Sequence, residues 1–228
     1  MSPTLEPCIP SNGVALHVEA VAFDFDGTLA DTTGAIVNTA LQTLRELELP
    51  SVPPETFVAM IGLPLRQAFI GAGVAPEAAD ACVVHYRACF PANARAVTLF
   101  PAVRECLEEL TRQGRRLGIV SSRGRASLLE LLDRLQIRAH FRQVLGDEDV
   151  LRKKPEPDLV HMLGTRLQIA PARMLVVGDT TYDIEMGHAA GAATCAVTYG
   201  SHDGARLQAA RPTYQLDSLS GLGALLAR

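Results

Sequence analysis

Four short runs of this sequence are almost unbroken in Val, Ile, Leu and Ala. They are VEAVAFD (18-24), RLGIVSS (116-122), RMLVVGD (173-179) and ATCAVTY (193-199), with RQVLG (142-146) a weaker fifth. A strand with one wet face alternates apolar with polar residues, whereas an unbroken run marks a strand covered on both faces. Between the runs lie stretches with helical spacing: AVRECLEELTRQG (102-114), RASLLELLDRLQI (125-137), PDLVHMLGTRLQI (157-169) and TYDIEMGHAAG (181-191). Gly114 and Gly191 stand where two of these helices should stop. Strand alternating with helix predicts βαβ units, hence an α/β fold with a doubly wound parallel sheet and a Rossmann-like core.

One segment breaks the alternation. Residues 32-97 carry helical patterns only, punctuated by Pro50, Pro53, Pro54, Pro64 and Pro76. They predict a helical insertion between the first strand and the rest of the sheet, leaving 17-31 and 98-228 as the α/β core. Residues 1-16 carry three prolines and no periodicity, which predicts a loose extension. MSPTLEPCIPSNG has neither a basic start nor an apolar stretch, so no secretory signal is expected there. The net charge is -4, which leaves no general nucleic-acid footprint, and no apolar run reaches the roughly 18 residues a membrane span needs. Five scattered cysteines without framework spacing suit a reducing cytoplasm.

The chemistry sits where the strands end. Asp24 and Asp26 follow the first run, Ser121 and Ser122 close the second, Lys153 and Lys154 precede the helix at 157, and Asp179 and Asp183 follow the run at 173. In a doubly wound sheet the carboxyl ends of the strands form the ligand crevice, so these groups converge on one edge. Helix caps and turns account for one acid each, not for two flanking Phe25 and a third at Asp179. Uncompensated carboxylates would raise one another's pKa values, and a divalent cation removes that conflict. All-oxygen ligands with positions left for water and phosphate favour Mg²⁺. Such a site suits phosphoryl transfer: one carboxylate attacks phosphorus, and a second moves the protons. The sequence holds nineteen arginines and two lysines, and both lysines stand here. A compact ammonium is a point charge that Arg does not replace freely, and the lysine beside Pro155 is the one expected in the site.

With these residues the sequence resembles the haloacid dehalogenase superfamily, specifically its phosphatases with a small helical cap. DFDGT, the serine of GIVSS, the lysine of KKPEPD, and GDTTYD appear in the family's order, and the likeness runs from about residue 18 to the C-terminus. The resemblance implies Asp24 as nucleophile and metal ligand, and Asp26 as general acid/base with its backbone carbonyl on the metal. It implies Ser121 and Lys154 as phosphoryl-binding groups and Asp179 as a metal ligand. Asp183 would hold a metal-bound water or orient the site; its structural alternative is a first-turn helix acid. Gly27 and Thr28 would shape the turn after the nucleophile, and the Ser122 backbone would reach phosphate.

Within the superfamily, relatives that cleave carbon-phosphorus bonds use a cap lysine, which 32-97 lacks. Relatives that displace halide lack the second aspartate. DTTGAIVNTA lacks the histidine expected in the mutases. Hydrolysis of a small phosphorylated metabolite is therefore expected, with a sugar-phosphate mutase and a non-catalytic phosphate-binding module as the alternatives. IGLPLRQAF (61-69) and the tail from 197 to 222 resemble phosphoglycolate-phosphatase-like and pyrophosphatase-like members. On that likeness Arg66 is a candidate for a substrate carboxylate or second phosphate. Arg123, beside Ser121, is a candidate source of positive potential for substrate. SSR stands where close phosphoglycolate phosphatases carry a Thr-Asn-Lys run. A monomer or homodimer is expected.

Overall fold

The computed structural model describes residues 17–227; the extension expected over 1-16 lies outside them. The chain begins with β1 (Ala20–Phe23) and the two-residue β2 (Ala30–Asp31). Four helices follow: α1 (Thr33–Glu46), α2 (Pro54–Val58), α3 (Leu65–Gly71) and α4 (Pro76–Asn93). Then come β3 (Thr98–Leu99), α5 (Val103–Arg112), β4 (Arg116–Val120), α6 (Arg125–Arg134) and β5 (Phe141–Leu145). The last part holds α7 (Asp158–Leu167), β6 (Met174–Gly178), α8 (Thr181–Ala189), β7 (Ala193–Val197), α9 (Gly204–Ala209), β8 (Tyr214–Leu216) and α10 (Leu222–Leu226).

Six strands form one sheet in the order β5-β4-β1-β6-β7-β8, and every neighbouring pair is parallel. Numbered along the chain within that sheet, the order is 3-2-1-4-5-6. The order reverses between β1 and β6, and the crevice outside the carboxyl ends at that point is where open α/β sheets bind ligands. The apolar runs explain the layers. Successive side chains of a strand point to opposite faces. Val21, Phe23, Leu117, Ile119, Leu175 and Val177 pack with α5, α6 and α10, through Leu107, Leu110, Leu128 and Leu222. Ala20, Ala22, Val120 and Val176 pack with α7 and α8, through Leu159, Leu163 and Met186. Both faces are covered, so the sequence can be apolar without pause. The structure adds three strands with no sequence signal: β8, only half-buried, and the two-residue β2 and β3.

The cap is α1–α4. It leaves and re-enters the core through β2 and β3, which pair antiparallel (Ala30 with Leu99, Asp31 with Thr98). Pro54 and Pro76 sit in the first turns of α2 and α4, where a missing N–H costs nothing. An aromatic chain ties the cap together: Phe57 to Phe69 (5.5 Å between centroids), Phe69 to Tyr86 (6.2 Å) and Tyr86 to Phe90 (5.7 Å). These rings belong to the same apolar cluster as the core, and the cap meets the core at the carboxyl ends of the strands, where the Ser122 hydroxyl reaches the Gly62 carbonyl. Among the described residues no helix is long and apolar enough to cross a membrane.

Candidate active site

Asp24 follows β1, and its N–H donates to the Val177 carbonyl of β6, which fixes it at the reversal point (2.9 Å). Asp179 follows β6 one step away. Its Oδ1 accepts from the Thr28 hydroxyl (2.8 Å) and its Oδ2 from the Ser201 N–H (2.7 Å). Gly27 has φ +81°, and a Cβ there would stand 2.1 Å from Asp179 Oδ2. The turn after Asp24 thus needs glycine twice over, for its backbone region and for the carboxylate pressed against it.

Asp183 sits in the first turn of α8 and does two jobs. Its Oδ2 accepts from the Thr180 N–H (3.1 Å) and hydroxyl (2.6 Å), completing a capping box. Its Oδ1 accepts from Lys154 Nζ at 2.6 Å, and the same ammonium donates to Asp24 Oδ1 at 2.9 Å. One side chain thus serves as a first-turn helix acid and also reaches Lys154 beside Asp24. Lys153 instead donates to the Val150 carbonyl (2.7 Å) and that of Asp147, holding the loop. Of the two lysines, Lys154 is the one brought to Asp24.

The carboxylates of Asp24, Asp179 and Asp183 each offer an oxygen within 4.8 Å of the others, and all three residues are buried. Their electrostatics are strained. Burial, opposed by Lys154 and reinforced by Asp183, Asp179 and Asp26, holds the Asp24 carboxyl well above its ordinary value. Burial and then Asp183 push Asp179 up to about 6, against the donors from Ser201 and Thr28. Burial alone would lower the Lys154 pKa, but Asp183 and Asp24 outweigh it and the ammonium is raised. Three buried acids thus face one ammonium. A hard divalent cation with oxygen ligands fits both the donors and the missing positive charge.

The fourth acid is arranged differently. Arg123 Nη2 donates to Asp26 Oδ1 at 2.8 Å, and Nε donates to Oδ2 and Oδ1 at 3.0 and 3.2 Å. The side chains are only 8% and 12% exposed, so this is a desolvated pair. The guanidinium also lies 4.2 Å from the Phe90 ring centroid of α4 and donates to Ser127 Oγ (3.1 Å). Next to it, the Ser122 hydroxyl donates to the Gly62 carbonyl of the cap (2.8 Å). The Ser121 hydroxyl accepts the Arg123 N–H (3.2 Å). The loop after β4 therefore touches the acid, the core and the cap at once.

Asp24, Asp26, Ser121, Ser122 and Arg123 line a single cavity of about 420 Å³ between core and cap. Lys154, Asp179 and Asp183 stand behind its floor, with Gly27 and Thr28 against Asp179. Arg66 is not brought there. Its Nε donates to Asp80 (2.9 Å) and its Nη2 to the Pro76 carbonyl (3.1 Å), in an exposed pair outside the cavity lining. The structure does not bring Arg66 to the other expected site residues: Asp80 on the next cap helix and the Pro76 carbonyl share its fork. Two supports lacked any sequence signal. The Tyr199 hydroxyl donates to the Thr28 carbonyl (2.7 Å), and His202 Nδ1 accepts the Thr181 N–H (3.0 Å).

Comparison with known proteins agrees with this architecture. The family model described as haloacid dehalogenase-like hydrolase matches residues 21–197. The chain is 36% identical over 206 residues to a protein of Dickeya dadantii named probable phosphatase IndB, covering 88% of this chain and 90% of that one. It is 32% identical over 219 residues to a plasmid-borne phosphoglycolate phosphatase of Cupriavidus necator, covering 93% and 95%. A solved haloacid dehalogenase-like hydrolase from Streptococcus pneumoniae superposes with a TM-score of 0.82 at 27% identity, over 91% of this chain and 98% of that one.

Proposed function

The chain belongs to the haloacid dehalogenase-like hydrolase family, and from that premise we propose a Mg²⁺-dependent phosphatase that hydrolyses a small phosphomonoester through an aspartyl-phosphate. The observation that carries the reading is the pair on the cavity floor. Asp24 is held by Lys154, and Asp26 stands two residues on, facing the same cavity. An Asp24 oxygen attacks phosphorus; the new O–P bond forms as the ester O–P bond breaks. Asp26 gives its proton to the departing alcohol oxygen. Water then enters, Asp26 takes its proton, and the attack on phosphorus returns Asp24 as a free carboxylate and releases phosphate.

Asp24, Asp179 and Asp183, with the Asp26 carbonyl, would hold Mg²⁺, which when bound supplies positive charge for the phosphoryl oxygens. Lys154, the Ser121 hydroxyl and the N–H groups after it share that load. The cap over the cavity keeps bulk water from the aspartyl-phosphate. Phosphoglycolate, named for the Cupriavidus relative, is the reference substrate for assays.

The test is Asp24→Asn. It should abolish phosphate release from p-nitrophenyl phosphate with the circular dichroism spectrum unchanged, and beryllium fluoride with Mg²⁺ should stabilise the wild type but not the variant. Turnover by the variant at the wild-type rate would remove Asp24 from the chemistry.

A further inference from the structure

The cavity above the acids has a composition of its own, and it bears on the substrate. This inference rests on the phosphatase reading of the same site. The cap's contribution is almost wholly apolar: Phe57, Ile61, Leu63, Leu65, Tyr86 and Phe90 line the space that faces Asp24 and Asp26. At about 420 Å³ the space falls within the range of roughly 300–1,000 Å³ typical of small-molecule sites. A two-carbon hydroxy acid would leave most of it to water.

The charged groups point the same way. A leaving group with a carboxylate needs a cation, because an unpaired charge among apolar side chains is disfavoured. Arg123 has both faces of its fork on Asp26 and Ser127. Arg66 is turned to Asp80, outside the lining. Arg87 does line the cavity, but it is exposed, where an ion pair is screened and weak. Against it in the same lining stand Glu130, itself exposed, Asp147, 3.4 Å from Lys153 Nζ, and Glu148, which accepts the Arg125 N–H (2.9 Å). Among the residues lining the cavity, none offers a second anion a buried, unpaired cation.

We propose that the site is built for a phosphomonoester whose alcohol is uncharged and apolar, aryl or alkyl, with the phosphoryl on the acids and the alcohol against the cap rings. A hydroxy-acid ester such as phosphoglycolate is then a poor substrate.

The experiment needs only the wild-type enzyme with Mg²⁺ and a phosphate-release assay on three esters: 2-phenylethyl phosphate, ethyl phosphate and phosphoglycolate. Hydrophobic pockets discriminate by about tenfold or more per well-buried group. The expected order of kcat/KM is 2-phenylethyl, then ethyl, then phosphoglycolate, with at least about tenfold between the first and last. A second arm uses Leu63→Arg, which places a cation in the half-buried cap wall; the ratio of 2-phenylethyl phosphate to phosphoglycolate should fall at least about tenfold. Phosphoglycolate turned over as well as the aryl-alkyl ester, or within tenfold of it, overturns this inference and leaves the phosphatase reading standing. Phosphate released from none of the three overturns the phosphatase reading itself.

Discussion

Replacing Arg123 by leucine separates two roles that the sequence could not tell apart. A substrate-binding arginine would affect KM. The structure instead gives Arg123 three contacts to Asp26 between 2.8 and 3.2 Å, so under the proposed mechanism it acts as a positioning residue for Asp26. Removing one member of a buried ion pair costs about 3–5 kcal/mol, because the other charge is stranded. Leucine keeps part of the packing on Phe90, and Asp26 faces a cavity that water can enter, so the low end applies, about 3 kcal/mol. For a chain of this length that is a fall in Tm of roughly 6–12 °C. General acid-base catalysis contributes about 10²–10⁴ in rate. Losing the orientation of Asp26 but not the group should cost about 10² in kcat on an alkyl phosphate. On p-nitrophenyl phosphate, whose leaving group needs no proton, the loss should stay within about fivefold. Arg123→Lys, which keeps the charge and loses the fork, should fall between. Melting curves and steady-state kinetics on the two esters decide it. Equal losses on both esters, or a change confined to KM, would refute the positioning role.

Lys154→Met should strand Asp24 and Asp183 and cost about 3–5 kcal/mol in denaturant titrations without metal, together with loss of turnover; a variant as stable as wild type would show the acids already neutral. Mg²⁺ should raise Tm, by about 2.7 kcal/mol of stability at a hundredfold excess over Kd, and Asp183→Asn should blunt the rise; a melt unmoved by millimolar Mg²⁺ contradicts the metal assignment. His202 offers a pH test of opposite sign to Asp179, whose raised carboxyl titrates in the same window and gains stability as pH falls. Burial pushes its pKa from 6.5 down to about 4, and Arg206 adds to this. The unfolded chain therefore takes a proton below 6.5 that the folded one resists until about 4, so stability present above 6.5 is lost as pH falls through that window. The imidazole is only 3% exposed, yet it lies near charged surface groups, and a discounted loss of about 1–2 kcal/mol is expected. His202→Gln, which can still accept from Thr181, should gain Tm relative to wild type as pH falls from 6.5 to 4; a difference from wild type that is constant across this window assigns the loss elsewhere.

What the sequence made legible followed from burial on two faces. The central strands carry no polar residue to hide, so their ends, and the acids on those ends, could be read directly. Lys154 was legible for a different reason: it is one of two lysines, and it stands beside Pro155. Side-chain partners were not legible. Arg123 and Asp26 are 97 positions apart, and Tyr199 reaches Thr28 across 171. Nothing in a pattern of neighbours announces such pairs. Arg66 shows the same limit from the other side. The likeness of IGLPLRQAF to other phosphatases made Arg66 a candidate for the crevice, but no local pattern showed that Asp80, fourteen residues on, pairs with it in solvent.

The cap exposes a deeper limit of pattern reading. Apolar residues at helical spacing mean only that one side of a helix avoids water; they do not say what fills the other side. In α3, Ala68 and Phe69 are both buried, yet Phe69 packs edge-on to Phe57 and Tyr86, while Ala68 lines the cavity. Tyr86 and Phe90 do both, closing the aromatic chain and roofing the acids. Only the closure of the cap on the loop after β4, through Gly62, Ser122 and Arg123, decides which apolar face becomes interior and which becomes pocket wall. Gly62 matters to that closure: its φ is +95°, and a Cβ would stand 2.9 Å from Thr180 Cγ2, beside the helix that carries Asp183. Gly62→Ala should therefore hold the cap off the core through both backbone strain and contact. It should raise KM for apolar esters more than for ethyl phosphate, as steady-state kinetics on the two would show. An identical change for both substrates would mean that the cap wall does not read the alcohol.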